Sequence, residues 1–180
     1  MSLVSNLFLL FVAASVLVYY IVPHKFQWLV LLCFSYIYYL AGGVRYVGFL
    51  LFSTLVTWLI ALAVEKTEAK GSHKGARNLL VLGLLLNFGM LGVVKYTNFA
   101  IENLNALFHM NLRGMEILLP LGISFYTFQS SGYLLDVYWK RCEAEKNPVK
   151  YALFVSFFPQ ILQGPIGRYS RLAHQLYEPH

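Results

Sequence analysis

The feature that most limits how this chain can fold is a series of six long runs without an acidic or basic side chain. They cover residues 1–27, interrupted only by Lys25, and residues 26–44, 46–64, 78–94, 117–135 and 151–167. A helix crossing a hydrocarbon core of about 30 Å needs about 17 to 25 such residues, and the first five runs are long enough. Their residues are apolar on every side, where a soluble domain would alternate polar and apolar faces. With 58% hydrophobic and 12% charged residues in 180, the chain has too little polar surface to cover an aqueous globule.

The expected fold is therefore an all-α, polytopic integral membrane helical bundle forming one membrane domain over residues 1–180. Spans are expected near 2–22, 26–43, 46–64, 79–95 and 117–138, about five in all, joined by an amphipathic helix and a broken or re-entrant helix over 150–167. The first run has no basic start and leads into further spanning runs, so it reads as an uncleaved helix and not as a secretory signal. Tyr19, Tyr20 and Trp28 flank Pro23-His24-Lys25 as interfacial aromatics do.

Lys and Arg in the loops give the orientation. With the amino terminus outside, inner loops hold Lys25, Lys66, Lys70, Lys74, Arg77, Lys140, Arg141, Lys146 and Lys150, against Arg45, Lys95 and Arg113 outside. Nine against three favours a multi-pass protein of the plasma membrane with its amino terminus outside and loops 65–77 and 140–150 in the cytoplasm. The net charge of +6 is then a topological signal, and no nucleic-acid partner is expected.

Between residues 96 and 116, Phe99, Ile101, Leu104, Leu107, Phe108 and Leu112 recur every three or four positions against Glu102, Asn103, Asn105 and Asn111. That spacing predicts an amphipathic helix lying flat on the outer interface, as a connector or as the rim of an outward-facing cavity.

After Pro120, the residues Gly122, Tyr126, Gln129, Tyr133 and Asp136 fall on one narrow helical face. Lipid offers Gln129 no hydrogen-bond partner, so this stripe must look inward. It serves either as hydrogen-bonding glue between helices or, through Tyr126, Gln129 and Tyr133, as the lining of a substrate passage. Asp136, near Lys140 and Arg141, reads as a structural ion pair.

Pro159, Gly164, Pro165 and Gly167 punctuate the sixth run. A straight helix cannot carry that pattern, so a helix over 151–163 followed by a break at 164–167 is expected. Broken backbone at membrane depth needs protein or water to shield it, and its unpaired groups can be aimed at a polar substrate. Gln160, Gly164, Pro165 and Arg168 are the passage candidates here. Arg168 and Arg171 suit phosphate groups, with anchoring to lipid headgroups as the default.

The order of these segments carries a further signal. Residues 119–129 (Leu-Pro-Leu-Gly-Ile-Ser-Phe-Tyr-Thr-Phe-Gln), Leu135-Asp136-Val137-Tyr138, Phe157-Phe158-Pro159-Gln160, and Gly164-Pro165-Ile166 with Arg168 closely resemble the membrane-bound O-acyltransferase family, in its alginate O-acetyltransferase-like branch. Val94-Lys95-Tyr96 with Asn98-Phe99 is similar to the same branch.

The resemblance implies a larger helix bundle around a tunnel. An acyl group passes from a cytoplasmic acyl-coenzyme A or acyl-carrier thioester, which is not a bound cofactor, to a hydroxyl of an extracellular polysaccharide or teichoic acid. An extracellular acyl-relay protein and membrane lipids are the other implied partners. It also implies a tunnel histidine as general base.

That histidine is expected downstream of Gly164-Pro165-Ile166, beyond His180, so this chain reads as an amino-terminal part with no catalytic residue of its own. His24, His73, His109, His174 and His180 all lie in polar stretches and read as solvated. Cys33 and Cys142 form neither a metal site nor a disulfide; Cys142 beside Arg141 is open to acidification or lipidation, with a bystander thiol as the default. No Gly-rich phosphate loop or Gly-x-Ser-x-Gly elbow occurs. A non-catalytic membrane subunit and a small transporter are the alternatives, the latter without the internal repeat that transporters carry.

Overall fold

Gly43 and Gly83 show how tightly the apolar runs are folded back on one another. In the computed structural model, which describes residues 6–108, 122–163 and 167–177, Gly43 sits at φ 136° between α2 (His24–Gly42) and α3 (Val44–Ala69). A side chain is strained in that conformation, and the Gly43 amide closes the end of α2 by donating to the carbonyls of Tyr39 and Leu40. Gly83 lies on α4 (His73–Phe108), where an added Cβ would come within 2.7 Å of Leu134 Cδ1 and 3.1 Å of Ile60 Cγ2. Only glycine lets α4 approach its neighbours so closely.

Every secondary-structure element among the described residues is a helix. The order continues from α1 (Asn6–Ile21) through α2, α3 and α4 to α5 (Ile123–Tyr138), α6 (Pro148–Ser156), α7 (Phe158–Gln163) and α8 (Tyr169–Tyr177). The helices α3, α4 and α5 form the central layer, with α2 and α6 against α3 and α1 outermost on α2. Phe11 of α1 stacks on Phe34 of α2 and on Phe158 of α7, at ring-centre distances of 5.3 and 5.5 Å.

Two helical segments, Val47–Ala69 and His73–Leu107, are long and apolar enough to cross a membrane. Just 39% and 28% of their most apolar windows are buried. Leu51, Phe52, Leu55, Leu59, Leu82, Leu85 and Val93 stay exposed, an apolar surface suited to lipid or to further helices and not to water. Helices α1 and α5, of 16 residues each, are shorter, and residues 117–121 of the fifth expected span lie outside the described residues.

Two expectations need correction. Residues 96–108 do not form a separate helix but extend α4, which runs unbroken for 36 residues, or about 54 Å. Neither Gly nor Pro occurs between Val93 and Phe108, so nothing stops the helix where its apolar run ends. Residues 109–116 of that segment lie outside the described residues.

The helix expected over 151–163 is instead interrupted at Phe157, where φ −56° and ψ 101° leave the helical region. Pro159 explains the position. It cannot donate to Val155, and its ring clashes with that carbonyl, so the helix ends first and Pro159 enters the opening turn of α7, where a missing N–H costs little.

Candidate functional site

The interruption at Phe157 frees backbone groups inside the bundle, and side chains from other helices take them up. In an unbroken helix the Phe154 carbonyl would accept from the Phe158 amide. Here Phe158 N–H donates to Ser35 Oγ of α2 at 3.3 Å, and Gln129 Nε2 of α5 donates to the Phe154 carbonyl at 3.0 Å. Gln129 Nε2 also reaches Gln160 Oε1 at 3.3 Å, so one amide clamps both sides of the break. Gln129 is 1% exposed.

Around this clamp lies a seam of buried oxygen atoms. Gln129 Oε1, the hydroxyls of Tyr126, Thr127 and Ser131 on α5, of Tyr36 and Tyr39 on α2, of Thr54 on α3 and of Ser156 on α6 have no hydrogen-bond partner among the described residues. Tyr39 lies close enough to Tyr36 and Tyr126 to interact with both electrostatically. Buried polar atoms are nearly always paired, because leaving one unmet costs about 1–3 kcal/mol. Within this set Tyr36, Tyr39 and Tyr126 lie near one another, and Tyr36 and Thr54 also border an apolar cleft with Trp58 and Pro148.

The neighbouring polar cluster between α3 and α4 contrasts with it. Asn87 accepts from Ser53 Oγ at 2.8 Å and donates to Thr57 Oγ1 and the Gly83 carbonyl at 2.9 and 3.0 Å. Its amide oxygen and both recorded donor contacts are committed, and it reads as a clamp between helices.

Of the expected passage residues, Gln129 and Gln160 meet at the break, and Tyr126 is buried on the same face of α5 near Tyr39. Tyr133 is buried on the same face of α5, but its hydroxyl accepts from the Glu145 amide at 2.8 Å and so fastens the loop after α5. Arg168 is exposed at the start of α8, and Gly164 and Pro165 lie outside the described residues. Asp136 pairs with Arg141 at 3.5 Å. His24 bonds Gln27 and His73 bonds Glu68, both rings at the ends of helices and away from the seam. Among the described residues no three His, Cys, Asp or Glu side chains come together as a metal site.

Sequence reading passed over Ser35, Tyr36, Tyr39 and Thr54. Their signal was present in the spacing: polar groups three or four residues apart inside runs otherwise fit for lipid.

Loop 139–147 closes one end of the bundle. The Glu145 carbonyl accepts from Trp58 Nε1 at 2.7 Å, its carboxylate accepts from the Asn147 amide at 2.8 Å and from the Tyr169 hydroxyl, and the Ala144 amide donates to Glu65 Oε1 at 2.9 Å. Lys140 Nζ meets Glu68 at 3.3 Å. These contacts bring the two Lys-rich loops, after α3 and after α5, to the same end.

The fold and the seam define an integral membrane helical bundle with a polar interior at a broken helix. Comparison with known proteins gives the family. The chain is 35% identical over 178 residues to a probable alginate O-acetylase, AlgI, of Azotobacter vinelandii, covering 95% of this chain and 35% of that protein. It is 33% identical over 172 residues to a peptidoglycan O-acetyltransferase of Helicobacter pylori, covering 82% and 32%. It is 28% identical over 129 residues to a teichoic acid D-alanyltransferase of Lacticaseibacillus rhamnosus, covering 72% and 28%. The chain belongs to the membrane-bound O-acyltransferase family. It spans about a third of the length of the curated relatives it matches. It matches no family model and no solved structure.

Proposed function

We propose that this chain builds part of the acyl-transfer tunnel of a multi-pass O-acetyltransferase acting on an extracellular polysaccharide or cell-wall polymer. The observation that carries this reading is the seam itself: Gln129 Oε1 and the hydroxyls of Tyr126 and Tyr39 are buried beside a broken helix without partners among the described residues. Such groups suit the polar carbonyl and hydroxyl of an acyl group and its acceptor, which otherwise meet hydrocarbon.

In this reading five spans cross the plasma membrane with the amino terminus outside, and an acyl-coenzyme A or acyl-carrier thioester supplies the acetyl group from the cytoplasm. The acceptor hydroxyl attacks the thioester carbonyl, the oxygen–acyl bond forms, the thiolate leaves, and a base outside the described helices takes the proton. Gln129, Tyr126 and Gln160 position the transferring group and are not the base. Arg168 lies where a donor phosphate or a lipid headgroup would be met.

Expressing the complete protein in cells deprived of their own polymer O-acetylase, and measuring base-released acetate, tests the reading. Acetylation is expected to return, and Gln129→Leu is expected to lower it at least tenfold while the protein still accumulates in the membrane. Full activity in the Leu variant would remove Gln129 from the tunnel, and absence of acetylation by the unmodified protein would remove the activity.

A further inference from the structure

The outer face of α4 carries a groove of about 650 Å³ that the acyl-transfer reading does not use. It is lined by Lys74, Arg77, Asn78, Val81, Leu82 and Leu85. These positions repeat at three, one, three, one and three, so they share one side of the helix. The opposite side, with Ala76, Leu80, Gly83 and Asn87, is the one packed into the bundle.

The groove changes character along its length. Lys74, Arg77 and Asn78 at one end are exposed and make no hydrogen bond or ion pair among the described residues. The first turn of α4 holds no acidic residue to neutralise them. Within one helical turn the lining becomes apolar, with Val81 45%, Leu82 47% and Leu85 66% exposed.

We propose that this groove binds an anionic phospholipid, with the phosphate held by Lys74, Arg77 and Asn78 and the upper part of an acyl chain laid along Val81, Leu82 and Leu85. Charge and shape select this occupant. A free phosphate would leave the apolar half unused, and a zwitterionic lipid would bring a second cation toward Lys74 and Arg77. The basic-to-apolar step falls where the uncharged run of α4 begins at Asn78, which is the depth at which headgroup gives way to hydrocarbon in any bilayer this helix crosses. The assignment needs only that α4 spans the membrane, in either direction, and is independent of acyl transfer.

The test uses the complete protein in phosphatidylcholine nanodiscs containing a minor fraction of photoactivatable phosphatidylglycerol, with cross-links located by peptide mass spectrometry. Cross-links are expected on residues 77–85, competed by unlabelled phosphatidylglycerol and by neither phosphatidylcholine nor inorganic phosphate. The double variant Lys74→Gln, Arg77→Gln is expected to cut the yield about 25-fold, since each basic group near an anionic surface contributes about a fivefold preference. Lys66→Gln, Lys70→Gln removes the same charge from the exposed carboxyl end of α3 and is expected to change nothing. Equal losses in both double variants would mean a diffuse positive surface and overturn the site. Competition by inorganic phosphate would make it a free-anion site. Absence of cross-links on residues 77–85, with the unmodified protein folded by its melting temperature, would mean that another part of the protein covers this face.

Discussion

Cys142 sits half-buried in the loop after α5, and burial pushes its thiol up to about 12, with the carboxylates of Asp136 and Glu65 adding to the effect. Its neighbour in sequence, Arg141, gives no compensation. The guanidinium turns to Asp136 and lies 4.6 Å from the centre of the Trp139 ring. Adjacency in sequence left acidification open beside the default of a bystander thiol, and side-chain direction, which sequence does not carry, removes the acidified alternative. A thiol with a raised pKa stays protonated from pH 6 to 9, so thiolate chemistry is suppressed over that whole range. Cys142 in the folded protein is therefore expected to react with a water-soluble maleimide at pH 7.5 at least tenfold more slowly than the same cysteine after denaturation. Equal rates would place the thiol in solvent.

At the scale of the element, the interruption at Phe157 and the Gln129 clamp make one device. Gln129→Leu leaves the Phe154 carbonyl unmet in the bundle and is expected to cost about 1–3 kcal/mol in a chemical-denaturation measurement on the detergent-solubilised protein. Pro159→Ala lets α6 continue into α7, whereupon the Phe158 amide takes that carbonyl and Gln129 has less to hold. In that background Gln129→Leu is expected to cost about 1 kcal/mol less than it does alone. Simple additivity of the two losses would mean the clamp does not depend on the break.

How much of this was legible follows the same line. The inward stripe of α5 was readable because Tyr126, Gln129, Tyr133 and Asp136 obey one period, and all four are buried. The presence of a break was readable from Pro159. The helical stretch does end at Gln163, as expected, with residues 164–166 outside the described residues, but the additional interruption at Phe157 was passed over because Gly164 and Pro165 give a stronger local signal than one proline does. The far end of α4 was misread for a related reason: a change of amphipathicity at Tyr96 alters what surrounds a helix, and without Gly or Pro it does not end one.

For the whole molecule, the bonds of Glu65, Glu68, Trp58 and Tyr133 to residues 140–145 tie the loop after α3 and the loop after α5 to one end of the bundle. Charge counting assigned both loops to the cytoplasm separately, and the packing makes the two assignments dependent. Topology reporters placed in the loop 70–72 and in the loop 139–147 of the complete protein should therefore always agree with each other. The excess of Lys and Arg predicts that both report the cytoplasm and that a tag ahead of residue 6 reports the outside. The two failures are separable. Both loops outside would invert the protein and leave the bundle as described, whereas one loop inside and one outside would require the Glu68–Lys140 and Trp58–Glu145 contacts to be absent. In that second case Gln129 and the broken helix would no longer share an interior, and the tunnel reading would fall with the packing that supports it.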